Sequence, residues 1–416
     1  MEGNSITARL NQVATEDSRE LDRVCEEVAR SLLDSGTEPP FRIGSANFAG
    51  DPFLICADRY WRLRFLNRPS VRTAADCASW LHQHLQDAAD GTGQAHRAEI
   101  EQKWALGYAF ITRDSEESAT EIAEACAEIV GSADIAYFAA LYHAGKLRAN
   151  FRFDELHSFV ESSMLALATG PYRSGPVFTA LRAFAAFGSR RVTTEHAADL
   201  LDHAWYSPQR TMHTVDLCLN ALSAAVPFDG QGQLLRDRAR EAAAEWPENH
   251  LFVFRLATGL HLNKEHDAAL EAIDLALALL PSIGSRGSHA QLQEQYLAKR
   301  ELILEGQQRG AETAAHRQQW DRQHAAYRRV EARLNSATNH LITMITVFVT
   351  AIAFIISSIQ LTYGGDLPLG DRILLILAQG TVMLGFSGLL IYGTHLLLRY
   401  RQQPDPEPNG PDGARD

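Results

Sequence analysis

The sequence predicts an all-α protein: a cytosolic array of helical hairpins, a long stalk helix and a C-terminal two-helix transmembrane hairpin. Three observations carry this prediction. Apolar residues recur at helical spacing over residues 1 to about 335, and strand-like alternation is hard to find there. Two apolar runs follow, Leu341 to Leu361 and Ile373 to Leu398, each long enough for the ~20 residues that cross a bilayer as helix. The link between them, "YGGDLPLGDR", is short and rich in Gly and Pro, so the two helices should run antiparallel.

The elements follow in order. Residues 1–71 hold N-terminal helices and a loop. "SRELDRVCEEVARSLLDSG" has Ser18 as N-cap and Gly36 as stop, and residues 37–53 read as the longest non-helical stretch. Residues 72–287 form the array. Helices are expected at about 72–89, 95–112, 116–130, 134–146, 153–168, 174–188, 193–205, 209–225, 231–245 and 249–262. "GSAD", "PFDGQG", "WPEN" and similar turns separate them. Helical hairpins joined by Gly/Pro/Asp turns are the units of an α-solenoid. No clean repeat period precedes residue 249, so a non-repetitive all-α domain is the alternative.

The clearest unit is "VFRLATGLHLNKEHDAALEAIDLALALLP", Val253 to Pro281. Leu256, Ala257 and Leu260 share one face of a first helix. Ala269, Ile273, Ala276 and Leu280 share one face of a second, with "NKEH" as the turn. Small residues at Ala257, Ala269 and Ala276 let the two helices approach closely. The unit, at 249–282, resembles a tetratricopeptide repeat: those small residues, Ile273 and the closing Pro281 fall on that family's positions. Val253 stands where the family prefers Trp, and Lys264 where it prefers Gly.

Residues 288–337 read as the stalk. A helix should begin near His289, weaken at Gly306 and Gly310, and run unbroken from Ala311. Trp320, Tyr327, Leu334 and Leu341 recur every seven residues, with Val330 and Ala337 between. From Ala311 to Leu361 such a helix would be about 75 Å long. Its apolar stripe would self-associate or pack back on the array.

The hairpin occupies 338–399, with spans at 338–362 and 373–398. The first span carries a polar or small stripe, Asn339, Thr343, Thr346, Thr350, Ala353, Ser357 and Gln360, at alternating spacings of four and three. The second has its own, Ala378, Thr381, Gly385, Gly388, Tyr392 and His395. Two readings stay open. The stripes are a dry packing seam, within the hairpin or against a neighbouring protomer. Alternatively the hydroxyls line a water-filled path in an oligomer, with Asp366 and Asp371 ringing its outer mouth. Arg322, Arg328, Arg329 and Arg333 precede the hairpin, Arg399 and Arg401 follow it, and the loop holds only Arg372. The positive-inside rule then places both termini in the cytoplasm, at an inner or plasma membrane. The tail, 400–416, is acidic and Pro-rich and should be disordered.

A long helix entering the membrane at Asn339, with Thr346 and Thr350 on one face and Tyr363-Gly364 at the outer end, resembles the membrane region of CorA-type magnesium channels. The likeness covers about 311–401 and implies an oligomeric pore. Where that family continues Gly-Met-Asn, its selectivity filter, this chain has Gly364-Gly365-Asp366.

The net charge of −12 and the lack of a long Lys/Arg run argue against nucleic acid as a partner. The five cysteines are scattered without CxxC, as expected of reduced, buried thiols in the cytosol. The N-terminus shows no signal peptide. No phosphate-binding loop, HExxH or Cys/His cluster occurs, and the acidic run at Asp114, Glu116, Glu117, Glu121 and Glu124 reads as a solvated face. Trp61, Trp80, Trp104, Trp205 and Trp246 read as array core. No catalytic residue, cofactor or metal is assigned. The functional expectation is a non-enzymatic, membrane-tethered module that binds or senses a protein partner as a homo-oligomer. The alternative is an oligomeric channel or pore-forming effector gated by the array.

Overall fold

The computed structural model describes residues 3–13, 18–85, 93–280, 286–363 and 368–401. Among the described residues it is helical apart from turns and the irregular stretch 35–51. The first helices are α1 (Gly3–Asn11), α2 (Ser18–Asp34), α3 (Pro52–Asn67), α4 (Val71–His84), α5 (Gly93–Ile111) and α6 (Ala119–Ile129). Next come α7 (Ala133–Ala149), α8 (Phe153–Ser162), α9 (Met164–Ala168), a 3-10 turn (Gly170–Ser174), α10 (Pro176–Gly188) and α11 (Thr194–Trp205). Then follow α12 (Met212–Ala224), α13 (Gln231–Glu245), α14 (His250–Leu262), α15 (His266–Ala278), α16 (Arg286–Tyr363) and α17 (Leu369–Arg401). Among the described residues the β pairing is one bridge between Ile43 and Leu85. The chain divides into two compact units, Met1–Gly310 and Ala311–Asp416.

Helix starts follow local chemistry. Asp51 accepts from the backbone N–H groups of Phe53 and Leu54 at 2.9 and 3.2 Å, with Pro52 in the first turn where its missing N–H costs nothing. Ser118 and Glu121 close a capping box on α6. Helix α3 is not among the helices expected from the sequence. Arg59, Arg62 and Arg64 interrupt its apolar pattern, yet Leu54, Ile55, Cys56, Ala57, Tyr60, Trp61 and Phe65 are buried. The helix expected at 153–168 is two helices, because Ser163 leaves the helical conformation to cap α9 through the Ala166 N–H at 3.0 Å.

In the first unit, one core runs from Ile6 in α1 to Phe252 in α14. The N-terminal helices therefore share one core with the helices up to α14. An aromatic chain crosses it: the rings of Trp61 and Trp80 lie 6.0 Å apart, Trp80 and Trp104 6.4 Å, and Phe65 sits 4.7 Å from Tyr108. Trp205 is also buried, while Trp246 is half-buried. A second core joins α14, α15 and the start of α16, through Val253, Ala257, Ala269, Ile273, Ala276, Tyr296 and Ile303. The small residues singled out in the 253–281 unit are all at this contact; Pro281 lies outside the described residues. Lys264 adopts φ 64°, the left-handed conformation that glycine takes most cheaply, at a cost of roughly 1 kcal/mol.

Helix α16 runs through Gly306 and Gly310 without a break, contrary to the expected weakening. Gly306 is there for space. A Cβ on it would meet the His266 and His261 rings at 2.7 and 3.0 Å. In the second unit, Trp320, Tyr327, Val330 and Leu334 are exposed along α16.

Candidate functional site

Two helices, α16 and α17, contain stretches long and apolar enough to cross a membrane. On α16, Asn339, Thr343, Thr346, Thr350, Ala353 and Ser357 are partly covered, as is Phe354. Leu341, Met344, Ile345, Phe348 and Ile352, on the other faces, are exposed. On this side of the helix Thr350 and Phe354 face α17; Gln360, at the end of the stripe, is exposed. The three threonine hydroxyls are satisfied by their own helix. Thr343 Oγ1 donates to the Asn339 carbonyl at 2.9 Å, Thr346 to Ile342 at 2.8 Å and Thr350 to Thr346 at 2.7 Å. A hydroxyl bonded this way needs no water and no partner helix.

Between the helices lies a largely apolar groove of about 550 Å³, bordered by Val347, Thr350, Phe354, Met383, Ser387 and Ile391. The Ser387 hydroxyl is shielded there and has no hydrogen-bond partner among the described residues. At Gly380 the helices leave little room: a Cβ there would sit 3.2 Å from the Phe354 ring.

The second predicted stripe is placed differently. Ala378, Thr381, Gly385 and Gly388 are exposed, and a Cβ on Gly385 or Gly388 would meet nothing within 4 Å. Only Gly388 borders the groove. The side of α17 facing α16 is instead Ile376, Gly380, Met383, Ser387 and Ile391. The small residues at Ala378, Thr381 and Gly385 thus lie off the contact within the hairpin, which larger residues fill, with Gly380 admitting Phe354. Asp371 is exposed at the start of α17. Asp366, Gly364 and Gly365 lie outside the described residues, as does the tail from residue 402.

The array holds a cluster that sequence reasoning missed. Arg148 on α7, His213 and Asp216 on α12, and Arg255 on α14 are each half-buried. Arg148 Nη1 stands 3.9 Å from Asp216 Oδ2, an ion pair too long to be a hydrogen bond. Nearby, the Tyr296 hydroxyl and His250 Nδ1 are 2.8 Å apart, and the Tyr296 ring stacks on Phe254 at 4.4 Å. Burial, reinforced by Arg255, lowers the Arg148 pKa against the pull of Asp216. Burial likewise pushes His213 down to about 4, so it is neutral at pH 7. The available signal was an ionisable residue inside an apolar helical run, as in "LFVFRLATG" and "TMHTVDLC". Among the described residues no group of three or more His, Cys, Asp or Glu is placed to hold a metal ion.

No protein-family model, no curated protein and no solved structure matches the chain.

Acid should weaken the array. His213 and His143 are both held near 4 by burial, below the ordinary 6.5. Their depressed values contribute stability present above about 6.5 and lost as pH falls toward 4. Glu101, raised to about 7 by burial, acts in the opposite sense and gains stability over much of the same range. Between pH 7.5 and 5, each histidine should cost about 2 kcal/mol and Glu101 return about 2 kcal/mol. The expected net loss is about 1–2 kcal/mol, read as a lower urea midpoint at pH 5. In a His213→Phe chain the pH dependence should shrink or reverse; an unchanged dependence would show that His213 does not carry it.

Proposed function

We propose that the chain is a membrane-tethered helical array that binds or senses a partner protein through residues 1–310 and works as a homo-oligomer. The array would stand on the cytoplasmic side of an inner or plasma membrane, with both termini on that side. The observation that carries this reading is an open, mainly apolar groove of about 430 Å³ in the array, bordered by Ile122, Cys126, Val130, Phe159 and Met164. Val130 and Met164 are 46% and 65% exposed, more than an isolated array gains from leaving them in water. A tetratricopeptide-like solenoid is the finer form of the reading, supported by the α14–α15 pair and its buried alanines. In the hairpin, self-bonded hydroxyls favour a dry seam. The exposed stripe at Ala378, Thr381, Gly385 and Gly388 suits a neighbouring copy, since small residues let helices approach closely in lipid.

Partner binding is tested by crosslinking from a photoreactive residue at Met164 in cells: a discrete adduct supports the reading, and its absence across the groove counts against it. Topology is tested separately. A cysteine at Leu369 should react with a membrane-impermeant thiol reagent added outside intact cells, and one at Gly410 should not. Reversed labelling would overturn the assigned orientation.

The second reading is a CorA-like oligomeric cation channel or pore-forming effector gated by the array. It is favoured by the hydroxyl face of α16 and by the exposed Asp371 at the loop end of α17. One hairpin cannot enclose a pore, so this reading requires the oligomer. Ion flux through liposomes holding purified protein separates the two.

A further inference from the structure

We propose that Arg148, His213 and Arg255, gathered around Asp216 from three helices of the array, form a binding site for the phosphate group of a small molecule. The site is distinct from the apolar groove and does not depend on the partner-binding reading. Nε and Nη1 of Arg148, Nε of Arg255 and Nε2 of His213 are all shielded from solvent, and none has a hydrogen-bond partner among the described residues. Buried guanidinium N–H groups are normally paired, because leaving one unmade forfeits its hydration for nothing. Several orphaned nitrogens in one place mark a donor set awaiting an acceptor.

Charge points the same way. Asp216 is the carboxylate that acts on Arg148, His213 and Tyr296, whereas Arg148 and Arg255 repel each other. Lys299, at the start of α16, lies within reach of the Arg255 charge and adds a third cation. One carboxylate against three cations leaves a positive excess inside a chain whose net charge is −12. Such a cluster attracts anions while the molecule as a whole repels polyanions, which argues for a small ligand over a nucleic acid.

Geometry selects the anion. A planar carboxylate is satisfied by the fork of a single arginine. Here the donors belong to three side chains on three helices, α7, α12 and α14, which suits the several oxygens of a tetrahedral phosphate better than the two of a carboxylate. His213 joins as a neutral donor through Nε2, in the tautomer that a phosphate oxygen would select.

The test uses the full chain in detergent, with inorganic pyrophosphate as probe and citrate at matched ionic strength as comparison. Pyrophosphate should raise the melting temperature saturably, and calorimetry should give one site per chain. Arg255→Gln and Arg148→Gln should each weaken binding at least ten-fold, and Arg317→Gln, on an exposed face of α16, should leave it unchanged. Arg148 is the more deeply buried, so if its variant fails to fold, Arg255→Gln and the charge-keeping Arg255→Lys decide; both should bind less tightly than the parent. No saturable effect of pyrophosphate, an equal effect of citrate, or undiminished binding by Arg255→Gln would overturn the proposal.

Discussion

Replacing Gly259 by alanine is expected to destabilise the array by about 3 kcal/mol or more and to lower its melting temperature by roughly 5–10 °C. The reason is a backbone contact. Helix α14 crosses α13 at Gly259, and a Cβ there would sit 2.5 Å from the Arg236 amide nitrogen, 2.7 Å from its Cα and 3.0 Å from the Leu235 carbonyl carbon. A side chain can swing aside, but main chain cannot without moving the whole helix. The displaced helix would carry Leu235 and Ala239 out of the core they help fill. Gly107, in α5, makes the control: a Cβ there meets nothing within 4 Å, so Gly107→Ala should be neutral or gain up to about 1 kcal/mol from helix propensity. Thermal unfolding of the two variants reads the difference. Equal melting temperatures would mean that α13 and α14 do not approach as described.

The second large effect is expected from Thr350→Asp. Thr350 lines the groove between α16 and α17 and spends its hydroxyl on the Thr346 carbonyl. If the two helices cross a bilayer as a dry pair, the aspartate places a carboxylate near mid-membrane, at a cost of about 2.5–3.5 kcal/mol on insertion scales. No cation among Val347, Phe354, Met383 or Ser387 could offset it. The variant should insert poorly, or its oligomer should come apart on detergent sizing. In a wetted pore the carboxylate would stay hydrated, the oligomer would survive and cation flux would rise. Intact, conducting Thr350→Asp oligomers would therefore favour the channel over the seam.

These residues also show which parts of the molecule were legible in its sequence. The α14–α15 pair was readable because its small and branched residues fall on one face of each helix and nothing distant competes for that face. The hydroxyl stripe of α16 was readable for the same reason: periodicity reports which side is covered. It does not report by what. On α17 the small-residue rule chose Gly385 and Gly388, whereas the chain itself uses Gly380, where a single aromatic ring needs room. Gly306 was taken for a weak point, yet two histidines that precede it in sequence explain it. Helix α3 hid behind three arginines, one of which, Arg64, reaches Glu38 and Asp76 at 2.8 and 2.9 Å. The Arg148–His213–Arg255 cluster shows in the sequence only as single ionisable residues inside apolar helical runs, since its members are brought together by the packing of α7, α12 and α14.

The five cysteines have a practical consequence. Cys25, Cys56, Cys77, Cys126 and Cys218 are all free and buried, and burial holds the Cys77 and Cys218 thiols well above the range where thiolate forms at neutral pH. An alkylating reagent should pass over the native protein and mark each sulfur only when its surroundings open. The thiols sit on α2, α3, α4, α6 and α12, so the wild-type chain carries five clocks spread through its first unit. Cys126, beside the apolar groove of the array and the least enclosed by a solvated edge, should be modified first. The order in which the others follow would chart, without a single mutation, how the array comes undone.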